Sequence, residues 1–455
     1  MTGLIVSVNR TMSPYPAPPV GAALVADALT RRGAQMKFID LCFSKNPVAD
    51  LRRALEPRPD WGGISFRNLD NVSAQKTESY IPYLLEVATV FHEADVPFVL
   101  GGTGSMIIPH ALKGKTGANG VFIGSSEAFA DEVMERGLPE GVVTRRGGEL
   151  YTVEAVERWI DMERYLKYVR MAPVRFKRGC AYGCSYCAYS SIEGKAISYN
   201  DFGDVEKYIA GFLAKGVCID IVDSLFNEPH DFALYALRRL KEARLEGEYH
   251  ISALSPRNVS APLMESMARV GAHSALIGID SASERMLASY NKPFTMADVD
   301  KLMNLRKGAP FRFFWSFVTG GPGETEETID ETLRFIQSLP PTDLAYMTYG
   351  VGIYRGTRLF DEAIEEGVIK ADDDGLQPRF YFSPQLDREK TLEKLKTAEL
   401  SIDNLILSAS ANRRLSHVAL KALAGLGAPT HSWETVVTAK RWLRRLGMIR
   451  LAFGQ

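Results

Sequence analysis

Long apolar runs are missing from this chain. Its 455 residues contain no window of about 18 uninterrupted apolar positions, so no membrane span is expected. The first residues, MTGLIVSVNR, lack the basic segment and apolar run of a signal peptide. Cysteine is scarce, and five residues are too few for a disulfide scaffold. No charge of one sign dominates, because 54 Lys and Arg stand against 55 Asp and Glu. That balance gives no electrostatic case for nucleic acid or an anionic membrane as partner. With 46% hydrophobic and 24% charged residues, the composition is neither disordered nor fibrous. These absences predict a soluble, cytoplasmic protein, and the length points to about three domains.

The few cysteines are unevenly placed. Of Cys42, Cys180, Cys184, Cys187 and Cys218, three fall within eight positions in RGCAYGCSYCAY. A structural zinc site wants four ligands, and no second paired knuckle follows. Cys218 lies in the apolar VCIDIVD, which reads as a buried strand. A redox pair would leave the third cysteine idle. The spacing C-x3-C-x2-C resembles the one by which radical S-adenosylmethionine (SAM) enzymes hold a [4Fe-4S] cluster. The resemblance implies that Cys180, Cys184 and Cys187 bind three irons and leave the fourth open to the amino and carboxylate groups of SAM. Gly179 and Gly183 are expected to let the loop approach the cluster closely. Tyr186 matches the aromatic residue the family places before the last cysteine, with simple packing as its other reading.

Downstream, MAPVRFKRG, VCIDIVDS, EYHISALS, HSALIGIDS, FRFFWSFVTGG and AYMTYGVGIY alternate with amphipathic stretches. Strands alternating with helices imply a parallel sheet with functional residues at the strand carboxyl ends. Over residues 171–375 the six units resemble the partial (β/α)6 barrel of radical SAM enzymes. The resemblance makes the strand ends a SAM-binding lip formed by Asp223, Ser224 and Asn227, by Ser252 and Arg257, and by Asp280 and Ser281. Where the family often has a GGE-like segment for the SAM amino group, this chain has VDSLFN. Two roles fit Arg257, the SAM carboxylate or a helix cap, and two fit Asp280, a SAM contact or a cap. TGGPGETEETI and YRGTRLF resemble loop-shaping segments of the subgroup that includes methylthiotransferases and cobalamin-dependent enzymes. His230, His250 and His273 read more readily as packed or surface histidines than as bases, and Tyr346 and Tyr349 face substrate or core by strand alternation.

Residues 1–140 predict a separate doubly wound α/β unit of five parallel strands, GLIVSVN, QMKFIDL, DWGGISFR, VPFVLGG and GVFIGS, with helices between them. Neither a P-loop nor a dinucleotide G-x-G-x-x-G is present. The helix PPVGAALVADAL and the segments VPFVLGGTGSMIIP and IGSSE resemble the Rossmann-like cobalamin-binding domain that precedes the barrel in class B radical SAM enzymes. The resemblance implies corrinoid contacts from Arg67 and Asn68, from Gly101, Gly102, Thr103 and Ser105, and from Gly124, Ser125 and Glu127. The D-x-H-x-x-G histidine of methionine-synthase-type domains is absent, so Arg67 is the candidate for the corrinoid's lower face, a salt-bridged loop residue being its other reading.

Residues 141–170 read as a linker and 376–455 as a helical cap whose basic run, Lys440, Arg441, Arg444 and Arg445, reads as a solvated helix face. Within the family, cysteine arithmetic removes several branches. Methylthiotransferases resemble a three-cysteine N-terminal pattern and only Cys42 is here; no Cys follows Cys218 for an auxiliary cluster; position 189 is Tyr, unlike the porphyrin-oxidase branch. The resemblance implies a methyltransferase acting on an unactivated carbon of a small molecule or natural-product intermediate. It would work through a 5′-deoxyadenosyl radical and methylcobalamin, with an electron donor such as flavodoxin or ferredoxin. A non-methylating rearrangement, ring contraction or cyclisation, a radical SAM enzyme that has lost cobalamin, and a non-enzymatic sensor stay open at this point.

Overall fold

A computed structural model describes residues 1–12, 15–145, 147–307, 311–408 and 432–445. Two parallel sheets organise the chain. The first contains β1 (Thr2–Ser7), β2 (Gln35–Asp40), β3 (Trp61–Ser65), β4 (Phe98–Gly101), β5 (Gly120–Gly124) and β6 (Gly141–Arg145), in the order β2-β1-β3-β4-β5-β6. On β1, Leu4 and Val6 enter the core of one face and Ile5 that of the other, as a sheet covered on both sides requires. The five expected strands are present. The sixth, GVVTR, pairs in parallel with β5, so this unit runs past residue 140 into the expected linker. The remainder of that segment is not a free tether: Tyr151, Ala155, Val156, Met162 and Tyr165 are buried in the core shared with the second sheet.

The second sheet contains β7 (Met171–Val174), β8 (Cys218–Ile221), β9 (Tyr249–Leu254), β10 (Ala272–Asp280), β11 (Arg312–Thr319), β12 (Leu344–Tyr349) and β13 (Leu405–Leu407), paired in chain order and all parallel. β7 and β13 are its edges, so the barrel is open on one side. The six predicted strands are joined by a seventh from the region expected to be helical, because LIL buries Leu405, Ile406 and Leu407 beside β12. The rest of that region includes the helices Arg388–Ser401 and Ser432–Arg445. Of its basic run, Arg445 is exposed, but Lys440, Arg441 and Arg444 are not simply solvated. Lys440 is fully buried and donates to the carbonyls of Ile402 and Leu405, while Arg444 Nη2 reaches Leu400 O at 2.7 Å. Cations here satisfy carbonyls left open where the preceding helix ends.

Alternation along the barrel strands divides inside from outside. Ala275, Ile277, Ile279, Phe313, Trp315, Phe317, Ala345 and Met347 are buried toward the helices. The residues between them, Leu276, Gly278, Phe314, Ser316, Val318, Tyr346 and Thr348, are half-buried and line the lumen. Tyr346 therefore faces inward, and Tyr349 packs against Phe382 instead.

Candidate cofactor site

The cysteine loop leaves the barrel after β7 and is pinned from several sides. Cys180 N donates to Gly194 O at 3.0 Å, Ser185 N to Tyr290 O at 3.0 Å, and Asn291 Nδ2 to Gly183 O at 2.7 Å. Gly179 has φ +102° and a Cβ there would stand 2.2 Å from Ala196 O, so only glycine fits. Gly183 is not held to the same need, since a Cβ would meet only Asn291 Nδ2 at 3.4 Å.

All three thiols are half-buried, and burial raises their pKa values, that of Cys187 to about 11. Metal binding is what turns such thiols into thiolates. Among the described residues, no three His, Cys, Asp or Glu side chains gather as ligands for a single ion. Thiolates of a [4Fe-4S] cluster each bind a different iron, so three cysteines on one loop can serve three irons of a cluster.

Asp280 ends β10 beside this loop. A register irregularity after Gly278 and φ +67° at Asp280 turn its carboxylate toward the cysteines. It is ion-paired with Lys292 and accepts the phenol of Tyr186, whose Oη lies 3.1 Å from Lys292 Nζ. Burial opposes the charge of Lys292, but Asp280, Cys184 and Cys187 more than offset it and its pKa is raised. Lys292 had no motif to announce it in the sequence; its role follows from this geometry alone.

Several other lip candidates prove to be ties of the fold. Asp223 accepts from Phe176 N at 2.8 Å and Lys177 N at 3.2 Å, and Lys177 Nζ lies 3.3 Å from it. Asn227 is fully buried and bridges Ser255 and Arg257 backbone atoms. Ser281 Oγ bonds Thr332 at 3.0 Å. Asn227 and Ser281 thus use hydrogen bonds within the protein, whereas Asp223 Oδ2 is buried with an ion pair to Lys177 and no hydrogen bond among the described residues. Ser252 sits in the lumen, bonded to Asp220 at 2.6 Å, and is not on the lip. Ser224 Oγ donates at 2.5 Å to Glu193, which Arg175 pairs at 2.8 Å; Glu193 thus brings a second carboxylate to the VDSLFN segment, beside its own Asp223. Arg257 remains exposed, 6.0 Å over the Tyr182 ring. His250 lies inside the barrel, and burial lowers its pKa to about 3, so it is a neutral packed residue.

The carboxyl edge of the first sheet lies against the same loop. The helix Thr103–Ile107 meets the helix Tyr189–Glu193 through Met106, Ala188 and Ile192, and Arg178 Nη1 donates to Gly124 O at 3.3 Å. Gly102 has φ +85° and a Cβ there would stand 2.6 Å from Phe66 O; the space beside Gly101 is open. Asn68 is half-buried on the same edge, and Arg67 is exposed, its guanidinium making no hydrogen bond or ion pair among the described residues; its charge acts on the Tyr15 and Tyr189 phenols. Ser126 Oγ is buried with no partner, so this edge holds donors still to be used. Other members of the expected set are internal. Ser105 Oγ bonds Gly101 O at 2.9 Å, Thr103 Oγ bonds Arg67 O at 2.7 Å, and Ser125 Oγ caps a helix through Ala128 N. Glu127 pairs with Arg31 and Arg32 between two helices of the first unit.

Comparison with known proteins decides the larger unit. Residues 174–336 match the model of the radical SAM superfamily. The chain carries a radical SAM domain. Over 214 residues it is 26% identical to the uncharacterized methyltransferase PH0819 of Pyrococcus horikoshii, covering 46% of each protein, so the chain spans less than half the length of that relative. In three dimensions it is similar to the radical SAM methyltransferase TsrM of Kitasatospora setae, in a structure with tryptophan substrate and a SAM analogue. The TM-score is 0.83 at 19% identity, over 98% of this chain and 99% of that one. It is also similar to the cobalamin-dependent radical enzyme OxsB, in a structure with aqua-cobalamin and SAM. There the TM-score is 0.66 at 12% identity, over 100% of this chain and 76% of that one. Together the radical SAM domain and the sheet before it have the fold of cobalamin-dependent radical SAM enzymes. No helix among the described residues is long and apolar enough to cross a membrane.

Proposed function

We propose that the protein is a cobalamin-dependent radical SAM methyltransferase that methylates an unactivated carbon of a small molecule or natural-product intermediate. The observation that carries this reading is the contact of the cysteine-loop helix, through Ala188 and Ile192, with Met106 of the helix that follows β4. That contact supports a reading in which cluster, corrinoid and substrate share one chamber. Cys180, Cys184 and Cys187 would hold the [4Fe-4S] cluster, Glu193 with Ser224 and Asp280 would border SAM, and Arg67, Gly101 and Gly102 would border cobalamin. When bound, these cofactors supply the radical and methyl chemistry, and the protein supplies position and dryness. Lys292 and Tyr186 keep Asp280 oriented, and the Tyr165 phenol, bonded to Asp40 at 2.5 Å, helps fasten the first unit to the barrel. An external donor such as flavodoxin or ferredoxin would deliver electrons.

The test is anaerobic reconstitution with iron, sulfide and cobalamin. The reading expects stoichiometric corrinoid absorbance, together with S-adenosylhomocysteine alongside 5′-deoxyadenosine in the presence of substrate. Deoxyadenosine without S-adenosylhomocysteine would replace methylation by a rearrangement.

A further inference from the structure

The barrel encloses a space that its own side chains leave unfilled. A parallel barrel that needs only a core packs its centre with bulky branched residues. Here the helix-facing residues of β10, β11 and β12 are buried, whereas the interleaved Gly278, Ser316 and Thr348 keep half-exposed surfaces. A Cβ placed on Gly278 would meet nothing within 4 Å. The lumen is therefore open one layer beneath the cofactor lip.

One carboxylate looks into it without a counter-charge. Asp220 lies on β8 between the helix-facing Ile219 and Ile221, so alternation turns it inward. Its Oδ1 accepts the hydroxyl of Ser252 at 2.6 Å, and Oδ2 has no hydrogen bond or ion pair among the described residues. Other buried carboxylates of the barrel are compensated. Asp223 has Lys177 at 3.3 Å, Glu193 has Arg175 at 2.8 Å, and Asp280 and Asp343 are paired with Lys292 and Arg306. Glu324 has no cation but gives its oxygen to the amides of Gly320 and Gly321. Burial with no offsetting charge pushes Asp220 up to about 7. Leaving a carboxylate in that state costs stability, and such groups collect where a ligand completes them.

We propose that Asp220 is the anchor for a protonated amine on the substrate. The ammonium group docks against Asp220 Oδ2 and the lone pairs of Ser252 Oγ, and an apolar body lies along Leu276, Phe314 and Val318. Tyr15, whose phenol feels Asp220 more than any other charge, closes the same corner from the first unit. The substrate class is then a compact primary amine with an apolar body, whereas an anionic group at this position would meet like charge. This inference rests on the methyltransferase reading for the identity of the site and adds its specificity.

The experiment measures binding to the anaerobically reconstituted holoenzyme by calorimetry. The probes are L-tryptophan, tryptamine and phenethylamine, each beside its N-acetylated counterpart. At least one amine should bind about tenfold or more tighter than its acetylated partner, as expected for a hydrogen bond to a charged group. Asp220→Asn should remove that preference while iron content and corrinoid absorbance stay at wild-type levels. Ser252→Ala should weaken the same amine by a smaller factor, and it keeps the test available if the first variant folds poorly. Equal binding of amines and acetylated partners, or full amine preference in Asp220→Asn, overturns the proposal. S-adenosylhomocysteine is scored separately. An Asp220-dependent amine that yields none leaves this inference standing and sinks methylation, and a neutral substrate that yields it does the reverse.

Discussion

Lys292 and Asp280 form an ion pair buried beside the cysteine loop, their side chains 7% and 5% exposed, and the Tyr186 phenol joins them from one residue before Cys187. The trio couples the end of β10 to the metal-binding motif. A buried pair of this kind gives little net stability when intact, yet losing one partner strands the other charge.

Lys292→Met should therefore destabilise the protein by about 3 to 5 kcal/mol, measured by urea unfolding. It should also make the cluster harder to reduce, since a positive charge leaves the side of Cys184 and Cys187; a redox titration followed by electron paramagnetic resonance reads that shift. Lys292→Arg keeps the charge and should recover most of the potential. An unchanged potential in Lys292→Met would remove the electrostatic role.

Replacing any one of Cys180, Cys184 and Cys187 with Ala should abolish stable iron and sulfide binding. Cys42→Ser and Cys218→Ser should retain the full complement, because both are buried away from the loop. Iron and sulfide analysis after reconstitution checks this, and loss of iron in Cys218→Ser would move the site.

Gly101→Val should leave the melting temperature nearly unchanged, since a Cβ there meets nothing within 4 Å. The same atoms would occupy the corrinoid's place, so cobalamin affinity should fall about tenfold or more, as filling a preformed pocket does. Absorbance titration with hydroxocobalamin reads the affinity.

Asp220 also makes a statement about stability and pH. Its folded pKa, about 7, lies above the unfolded value of 3.8, so between those pH values the folded chain binds the extra proton. Its contribution is favourable at low pH and is lost as pH rises from about 4 to 7. Asp220→Asn should then be more stable than wild type at pH 8, on the order of 4 kcal/mol, with the difference vanishing near pH 4. Unfolding curves across that range check the sign.

What could be read from the chain alone follows from how local each signal is. The cysteine spacing is contiguous, and the strands of both sheets show up as apolar runs such as GLIVS and FRFFWSF. GVVTR and LIL escaped because a short edge strand differs little from a loop until its partner is known. Asp220 within VCIDIVD reads as one polar residue in a buried strand; only the absence of a nearby cation makes it notable. Lys440 misled because a basic helical period looks solvated until carbonyls from another segment are found against it. Asp223, Asn227 and Glu127 were read from their positions at strand ends, and their hydrogen-bond and ion-pair partners come from distant segments.

The central claim is that one chamber serves SAM, cobalamin and substrate. The most direct measurement incubates the reconstituted holoenzyme anaerobically with a low-potential reductant, which brings the corrinoid to the cob(I) state that accepts a methyl cation, and with SAM carrying a deuterated methyl group, and analyses the corrinoid fraction by mass spectrometry. The account predicts labelled methyl on the corrinoid with an equal amount of S-adenosylhomocysteine, and loss of both in Gly101→Val. Unlabelled corrinoid beside intact SAM, in protein with full iron and cobalamin content, would contradict it.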